Sequence, residues 1–184
     1  MSALPRGGMI GGGHLESARV SEERLWAPWR LDYIQGPKPD ECIFCTHLAA
    51  GDDEHAHIVH RGAGCFVILN AFPYNNGHVM VAPYRHVPSI EQLEEPELLE
   101  LMTLARGSLA AMRTAYGPEG FNLGINQGKI AGAGVEDHVH LHVVPRWGAD
   151  TNFMPVIADT RVLPQSLADS YRVLTKAFTE NASA

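Results

Sequence analysis

The chain has 184 residues, 45% of them hydrophobic and 19% charged, with a formal net charge of −7. That length fits one compact domain with some tail, and the composition is too apolar for a disordered chain. The acidic balance repels polyanions at long range and disfavours a general nucleic-acid-binding surface, while a small anion can still be held by backbone N–H groups and a few histidines.

Residues 1 to 20 contain Gly11-Gly12-Gly13 but neither the basic start nor the apolar stretch of a secretory signal, and read as a flexible tail ahead of a single domain over 21–184. Residues 24–34 hold Trp26, Trp29 and Tyr33, an aromatic cluster suited to a core lid, a subunit contact or a surface on which a base stacks. Cys42 and Cys45 form a pair separated by two residues, which suits tetrahedral zinc, a redox dithiol or two ordinary core cysteines. With Cys65 the cysteines number three, too few and oddly numbered for a disulfide framework, which favours a reducing cytoplasm.

Two β-prone runs, 57–59 and 65–69, flank Gly62-Ala63-Gly64 and predict a hairpin; a turn at 73–77 and a third strand over 78–82 follow. Ser89-Ile90-Glu91-Gln92 has capping-box spacing, and Leu98, Leu99, Met102, Leu109 and Met112 recur at helical intervals toward Gly117-Pro118, predicting one long helix. Strands are predicted over 121–125 and 138–144, joined by a loop with Gly128, Gly132 and Gly134. A last amphipathic helix is marked by Leu167, Tyr171, Leu174 and Phe178. Five strands, mostly hairpin-connected, with one long helix and one terminal helix indicate an α+β domain on an antiparallel sheet. No apolar run approaches the ~18 residues of a membrane span.

His138, His140 and His142 stand at alternate positions of a β-type run, so all three project from one face. With ten histidines in the chain, such an alternation arises by accident about 0.03 times in this length. A neutral imidazole can attack phosphorus near neutral pH, and neighbouring imidazoles can donate hydrogen bonds to oxygens whose charge grows in the transition state.

The run His138-Val139-His140-Leu141-His142-Val143-Val144, together with Gly77-His78-Val79-Met80-Val81-Ala82-Pro83, resembles the histidine triad family of nucleotide-binding proteins over residues 40 to 150. That resemblance implies the family's five-stranded antiparallel sheet and assigns His140 as nucleophile. It also implies that His78 and His142 contact phosphate oxygens and that Asn70 lies where ribose and base are held. Asn126, Gln127 and Gly128 would fall on the strand end lining the phosphate pocket. Several branches of the family carry Gln or Ser four residues before the triad, where this chain has Gly134, whose backbone N–H could serve the leaving group or the acceptor instead. Zinc-bearing members complete a structural site with the histidine after the second block and the first triad histidine. Here that gives Cys42, Cys45, His86 and His138.

The segments Leu25-Trp26-Ala27-Pro28-Trp29-Arg30 and 145–153 resemble the branch that includes bacterial diadenosine tetraphosphate phosphorylases. The implied activity is cleavage of a dinucleoside polyphosphate at its α-phosphate through a nucleotidyl-histidine, with inorganic phosphate as acceptor, by a homodimer. Other readings stay open: a phosphoramidase of the same family, a metallohydrolase with a catalytic ion on the three triad histidines, and a non-catalytic nucleotide-binding module.

Overall fold

A computed structural model of the chain describes residues 41–148, 150 and 165–182. The expected tail over 1–20 and the aromatic cluster of 24–34 lie outside them. Among the described residues two short helices come first, α1 (Ile43–Ala50) and α2 (Asp53–Ala56). Gly51 ends α1 in the left-handed region at φ 68°, and Asp52 caps α2 by accepting the His55 N–H at 3.0 Å. Then follow β1 (Ile58–Arg61), β2 (Cys65–Leu69), β3 (Val79–Pro83), the long α3 (Glu95–Tyr116), β4 (Gly120–Ile125), β5 (Leu141–Arg146) and α4 (Leu167–Ala182). The strands form one antiparallel sheet in the order β1-β2-β3-β5-β4, an α+β architecture as predicted.

Side-chain alternation along the strands builds two cores on opposite faces of this sheet. Cys65, Val67, Leu69, Val79, Val81, Leu141 and Val143 face α3 and α4, meeting Leu101, Leu104, Ala105, Met112, Leu174 and Phe178. Phe66, Ile68, Met80 and Ala82 face the other way, against Phe44 of α1 and Ala56 of α2. The even-numbered face is the one on which His78, His138, His140 and His142 stand.

The β1–β2 turn is held from α3, where the Glu100 carboxylate accepts the N–H groups of Ala63 at 2.6 Å and Cys65 at 2.9 Å. Among the described residues, no helix is long and apolar enough to cross a membrane.

Three sequence expectations shift. The capping box of α3 is built by Glu94 and Glu97, not by Ser89, whose side chain caps nothing; Pro96 at the start of the helix fixes the first turn there. The buried stripe of α3 runs through Leu101, Leu104, Ala105, Ser108, Ala111 and Met112, leaving Leu99 70% and Met102 55% exposed. Both stripes satisfy a 3.6-residue period, so periodicity alone could not choose between them. Finally, β5 begins at Leu141, so His138 and His140 lie on the extended lead-in, where the Val139 N–H donates to the Val87 carbonyl at 2.7 Å.

The corrected stripe has a measurable consequence. Leu101→Ala should lower the unfolding free energy by about 2–5 kcal/mol, whereas Leu99→Ala should change it by no more than about 0.5 kcal/mol. Urea denaturation of dilute protein checks both, and equal losses would put the core on the wrong face of α3.

Candidate active site

The site is assembled where β3 and β5 pair. Met80 lies opposite His142, and the residues two before each on their own segments, His78 and His140, share that face. The ring centroids are 4.8 Å apart for His140 and His142 and 5.1 Å for His78 and His142. His78 and His138 are fully buried and His140 is nearly so. Phe44 packs edge-on or tilted against His138 at 5.0 Å and His140 at 5.1 Å.

Hydrogen bonds to the backbone decide where the imidazole protons sit. His140 Nδ1 is 2.8 Å from the carbonyl oxygen of His138; a carbonyl only accepts, so Nδ1 carries the hydrogen and the lone pair is on Nε2. Burial holds the His140 imidazole below its ordinary pKa, with the bond to His138 opposing, so the ring is neutral near pH 7. A neutral ring with one nitrogen tied to the backbone presents the other as a nucleophile.

The opposite arrangement holds for His78. The Tyr74 N–H donates to His78 Nδ1 at 3.1 Å, so the neutral ring carries its hydrogen on Nε2, 3.0 Å from His142 Nδ1. His142 then accepts at Nδ1 and carries its own hydrogen on Nε2. Asn70 is bound into the same network, its N–H donating to the His78 carbonyl at 2.9 Å and its Oδ1 accepting the Phe72 N–H at 2.9 Å.

Beside these rings lies a cavity of about 290 Å³ whose walls include Ile43, Phe44, His47, Ile68, Asn70, Met80, Gly134, Val135, His140, His142 and Leu167. It is mostly apolar, with the imidazoles and Asn70 as convergent polar groups, which is the usual make-up of a small-molecule site. Of the residues singled out from sequence, Asn70, Gly134, His140 and His142 line it, while His78 sits buried beside His142. Asn126 and Gln127 are not brought to its wall. The Gln127 amide donates to the Glu91 carboxylate at 2.9 Å and accepts the Ile90 N–H at 3.0 Å, and Asn126 Nδ2 donates to the Gly132 carbonyl at 3.4 Å. Both therefore hold the glycine loop that carries Gly134. Sequence reasoning missed Phe44, His47 and Leu167. The signal available was nearness to the cysteine pair alone, because the apolar residues of α1 do not gather on one side of the helix.

A second cluster lies on the far side of His138. Cys42 and Cys45, three apart on one side of the first turn of α1, meet His86 and His138, and one ligand atom from each lies within 4.8 Å of all the others. Cys42 Sγ is 3.3 Å from His138 Nδ1, and Cys45 Sγ is 3.5 Å from His86 Nδ1 and 3.8 Å from His138 Nδ1. A tetrahedral ion bound at about 2.0–2.3 Å has ligand–ligand edges of about 3.3–3.8 Å, so this cluster fits a four-coordinate metal. His138 Nε2 donates to the Pro83 carbonyl at 2.9 Å, which leaves Nδ1 as the lone-pair nitrogen facing the sulfurs. With both its nitrogens so directed, His138 has none to share with His140 and His142, which speaks against a catalytic ion held by the three triad rings. Cys65 is elsewhere, in the core under α3, where burial pushes its thiol up to about 12.

The HIT domain family model matches residues 52–148. The AP-4-A phosphorylase of Mycobacterium tuberculosis is 38% identical over 162 residues, covering 83% of this chain and 82% of that protein. Among solved structures, a Zn-bound histidine triad family protein from Mycobacterium smegmatis superposes with a TM-score of 0.64 at 24% identity, covering 78% of this chain and 96% of that one. The Plasmodium falciparum diadenosine triphosphate hydrolase in complex with Cyclomarin A does so with a TM-score of 0.54 at 18% identity, covering 72% and 79%; at such identities these two speak for the fold. Matched over more than half its length by the HIT model and along most of it by a phosphorylase, this chain belongs to the histidine triad family, among its AP-4-A phosphorylase-like members.

Proposed function

We propose that this protein is a nucleotidyl transferase that cleaves dinucleoside polyphosphates at the α-phosphate through a covalent nucleotidyl-His140 intermediate. The observation that carries the reading is the His140 Nδ1 bond to the His138 carbonyl, which leaves Nε2 as the lone-pair nitrogen of a neutral ring on the pocket wall. In the first step Nε2 forms a bond to the α-phosphorus and the anhydride P–O bond breaks; the leaving nucleotide departs with the electron pair on its terminal phosphate. His142 Nε2–H, backed by His78, supplies a hydrogen bond to a phosphoryl oxygen as charge builds there. Asn70 at the cavity wall takes the ribose and base end, and the Gly134 N–H is offered to the leaving group or the acceptor. In the second step a phosphate oxygen attacks the phosphorus, the P–N bond breaks and a nucleoside diphosphate leaves.

The choice of phosphate over water as acceptor is supported by the likeness to a mycobacterial AP-4-A phosphorylase along most of both chains. With diadenosine tetraphosphate as substrate, phosphorolysis yields ADP and ATP and hydrolysis yields AMP and ATP. Product analysis with and without inorganic phosphate separates them, and AMP as the sole product in phosphate would refute phosphorolysis. His140→Asn should lower kcat by at least about 10³-fold with little change in binding. Mass analysis of the wild-type chain should find a nucleotidyl adduct that the variant lacks; turnover surviving in the variant would end the proposal.

Zinc is the metal that the Cys2His2 donor set of Cys42, Cys45, His86 and His138 suits best. With four protein ligands the site has no open position, so the ion would brace α1 against the sheet. Elemental analysis should find one zinc per chain in protein purified without chelator, and stripping it should lower Tm by at least about 5 °C. A metal-free chain of unchanged Tm would dismiss the bracing role.

A homodimer joined through β4 is supported by the open edge of that strand. Among the described residues no further strand covers it, and Leu123 is 43% exposed there. Light scattering should show a dimer for the wild type and a shift toward monomer for Leu123→Lys; a dimer untouched by that charge would place the contact elsewhere. The reducing cytoplasm is the compartment we infer, from the free thiols of Cys42, Cys45 and Cys65.

A further inference from the structure

The turn between β2 and β3 is fastened far more firmly than a surface loop requires. Asn75, 8% exposed, donates through Nδ2 to the Pro145 carbonyl of β5 at 3.1 Å and to Asp150 Oδ2 at 2.8 Å. Asp150 is itself gripped by Arg146, whose Nε lies 2.5 Å and Nη2 3.1 Å from its carboxylate, and by the Trp147 N–H at 3.3 Å. The Arg146 guanidinium holds the Asp150 carboxyl below the usual carboxylate range, so Asn75 donates to a charged acceptor. Asn76 reaches Gln165, just ahead of α4, at 3.2 Å. Gly77, at φ 77°, lies so close to Tyr116 that a Cβ there would come within 2.6 Å of the ring.

All of this converges on one backbone group. The His78 N–H donates to the Asn75 carbonyl at 3.1 Å, closing the turn, and the turn so closed aims the Tyr74 N–H at His78 Nδ1. Tyr74 also stacks on His78 at 5.1 Å. From there the order of donors runs on through His78 Nε2–H to His142 Nδ1.

We propose that Asn75 and Asp150 are positioning residues whose clamp on the β2–β3 turn keeps the hydrogen of His142 on Nε2, facing the pocket. Neither residue lines the cavity; they act through Tyr74 and His78. Were the turn to relax, His78 Nδ1 would lose the Tyr74 N–H, the nearer of its two donors, keeping only the Asn70 amide at 3.4 Å; the His78 ring could then take the other tautomer, and His142 Nε2 would become an acceptor turned toward anionic phosphate. The inference rests on the proposed role of His142 as a phosphate donor, but the state of the His142 ring can be read without turnover.

The replacement Asn75→Asp is isosteric and removes both donors, setting an oxygen against the Pro145 carbonyl and the Asp150 carboxylate; Asp150→Asn is the milder counterpart should the first fail to fold. In the wild type, two-bond ¹⁵N–¹H spectra of ¹⁵N-histidine-labelled protein, with His142 assigned by its loss in His142→Asn, should show the hydrogen on Nε2. In either folded variant that signal should give way to the Nδ1–H form or a mixture. With diadenosine tetraphosphate and phosphate, kcat should fall about tenfold to a hundredfold while KM changes by less than about threefold. An unchanged His142 tautomer in the folded variants overturns the inference, whatever happens to the rate. A changed tautomer with kcat intact overturns it as well. Failure to trap a nucleotide on wild-type His140 would instead count against the nucleotidyl-transfer reading, and the spectra would still decide what the clamp does.

Discussion

The hydrogen bond from His140 Nδ1 to the carbonyl oxygen of His138 is the interaction on which the site depends. It spans two residues of one extended segment, so the backbone itself selects the tautomer of the ring. Burial holds the imidazole neutral against the opposing effect of that bond, and the carbonyl, which can only accept, keeps the hydrogen on Nδ1. A solvated histidine would exchange tautomers freely. In this fold the lone pair is on Nε2 before any ligand arrives, and preorganisation of that sort costs nothing at the moment of reaction.

Burial of three imidazoles, with a fourth half-buried beside them, on one sheet face would be unfavourable if their nitrogens were left without partners. The structure answers with three backbone groups and one ring: the Pro83 carbonyl for His138, the His138 carbonyl for His140, the Tyr74 N–H for His78, and the His78 imidazole for His142. With these bonds the face is polar in composition yet compatible with the apolar layer of Phe44, Phe66, Ile68 and Met80 beside it. The opposite face of the same strands is wholly apolar under α3 and α4, and that larger core gives β3 and β5 the rigidity a site of this precision needs.

What could be read from the sequence was what depends on local period. The alternation of His138, His140 and His142, the β1–β2 hairpin around Gly62-Ala63-Gly64 and the amphipathic α4 are all properties of neighbouring residues, and each appears in the fold. What escaped depends on partners distant in sequence. Gln127 was assigned to the phosphate pocket, but its amide is satisfied by Glu91, 36 residues away, which no spacing rule could reveal. Helix α1 was missed because its apolar residues are spread around the axis with little one-sidedness, so a periodicity scan passes over a helix that supplies Cys45, Phe44 and His47. The misplaced stripe of α3 has the same origin: Leu98, Leu99 and Met102 are as apolar as the residues that pack, and only the tertiary fold separates them.

His138 joins the two clusters. Its ring nitrogen Nδ1 faces Cys42 and Cys45, and its carbonyl oxygen orients His140. Phe44, set between the cysteines on α1 and packed against both His138 and His140, couples them further. The four-residue cluster therefore need take no part in the chemistry to matter for it. By holding α1 over the sheet it sets one wall of the cavity, which Ile43, Phe44 and His47 line, while the strands themselves are held by the separate core under α3.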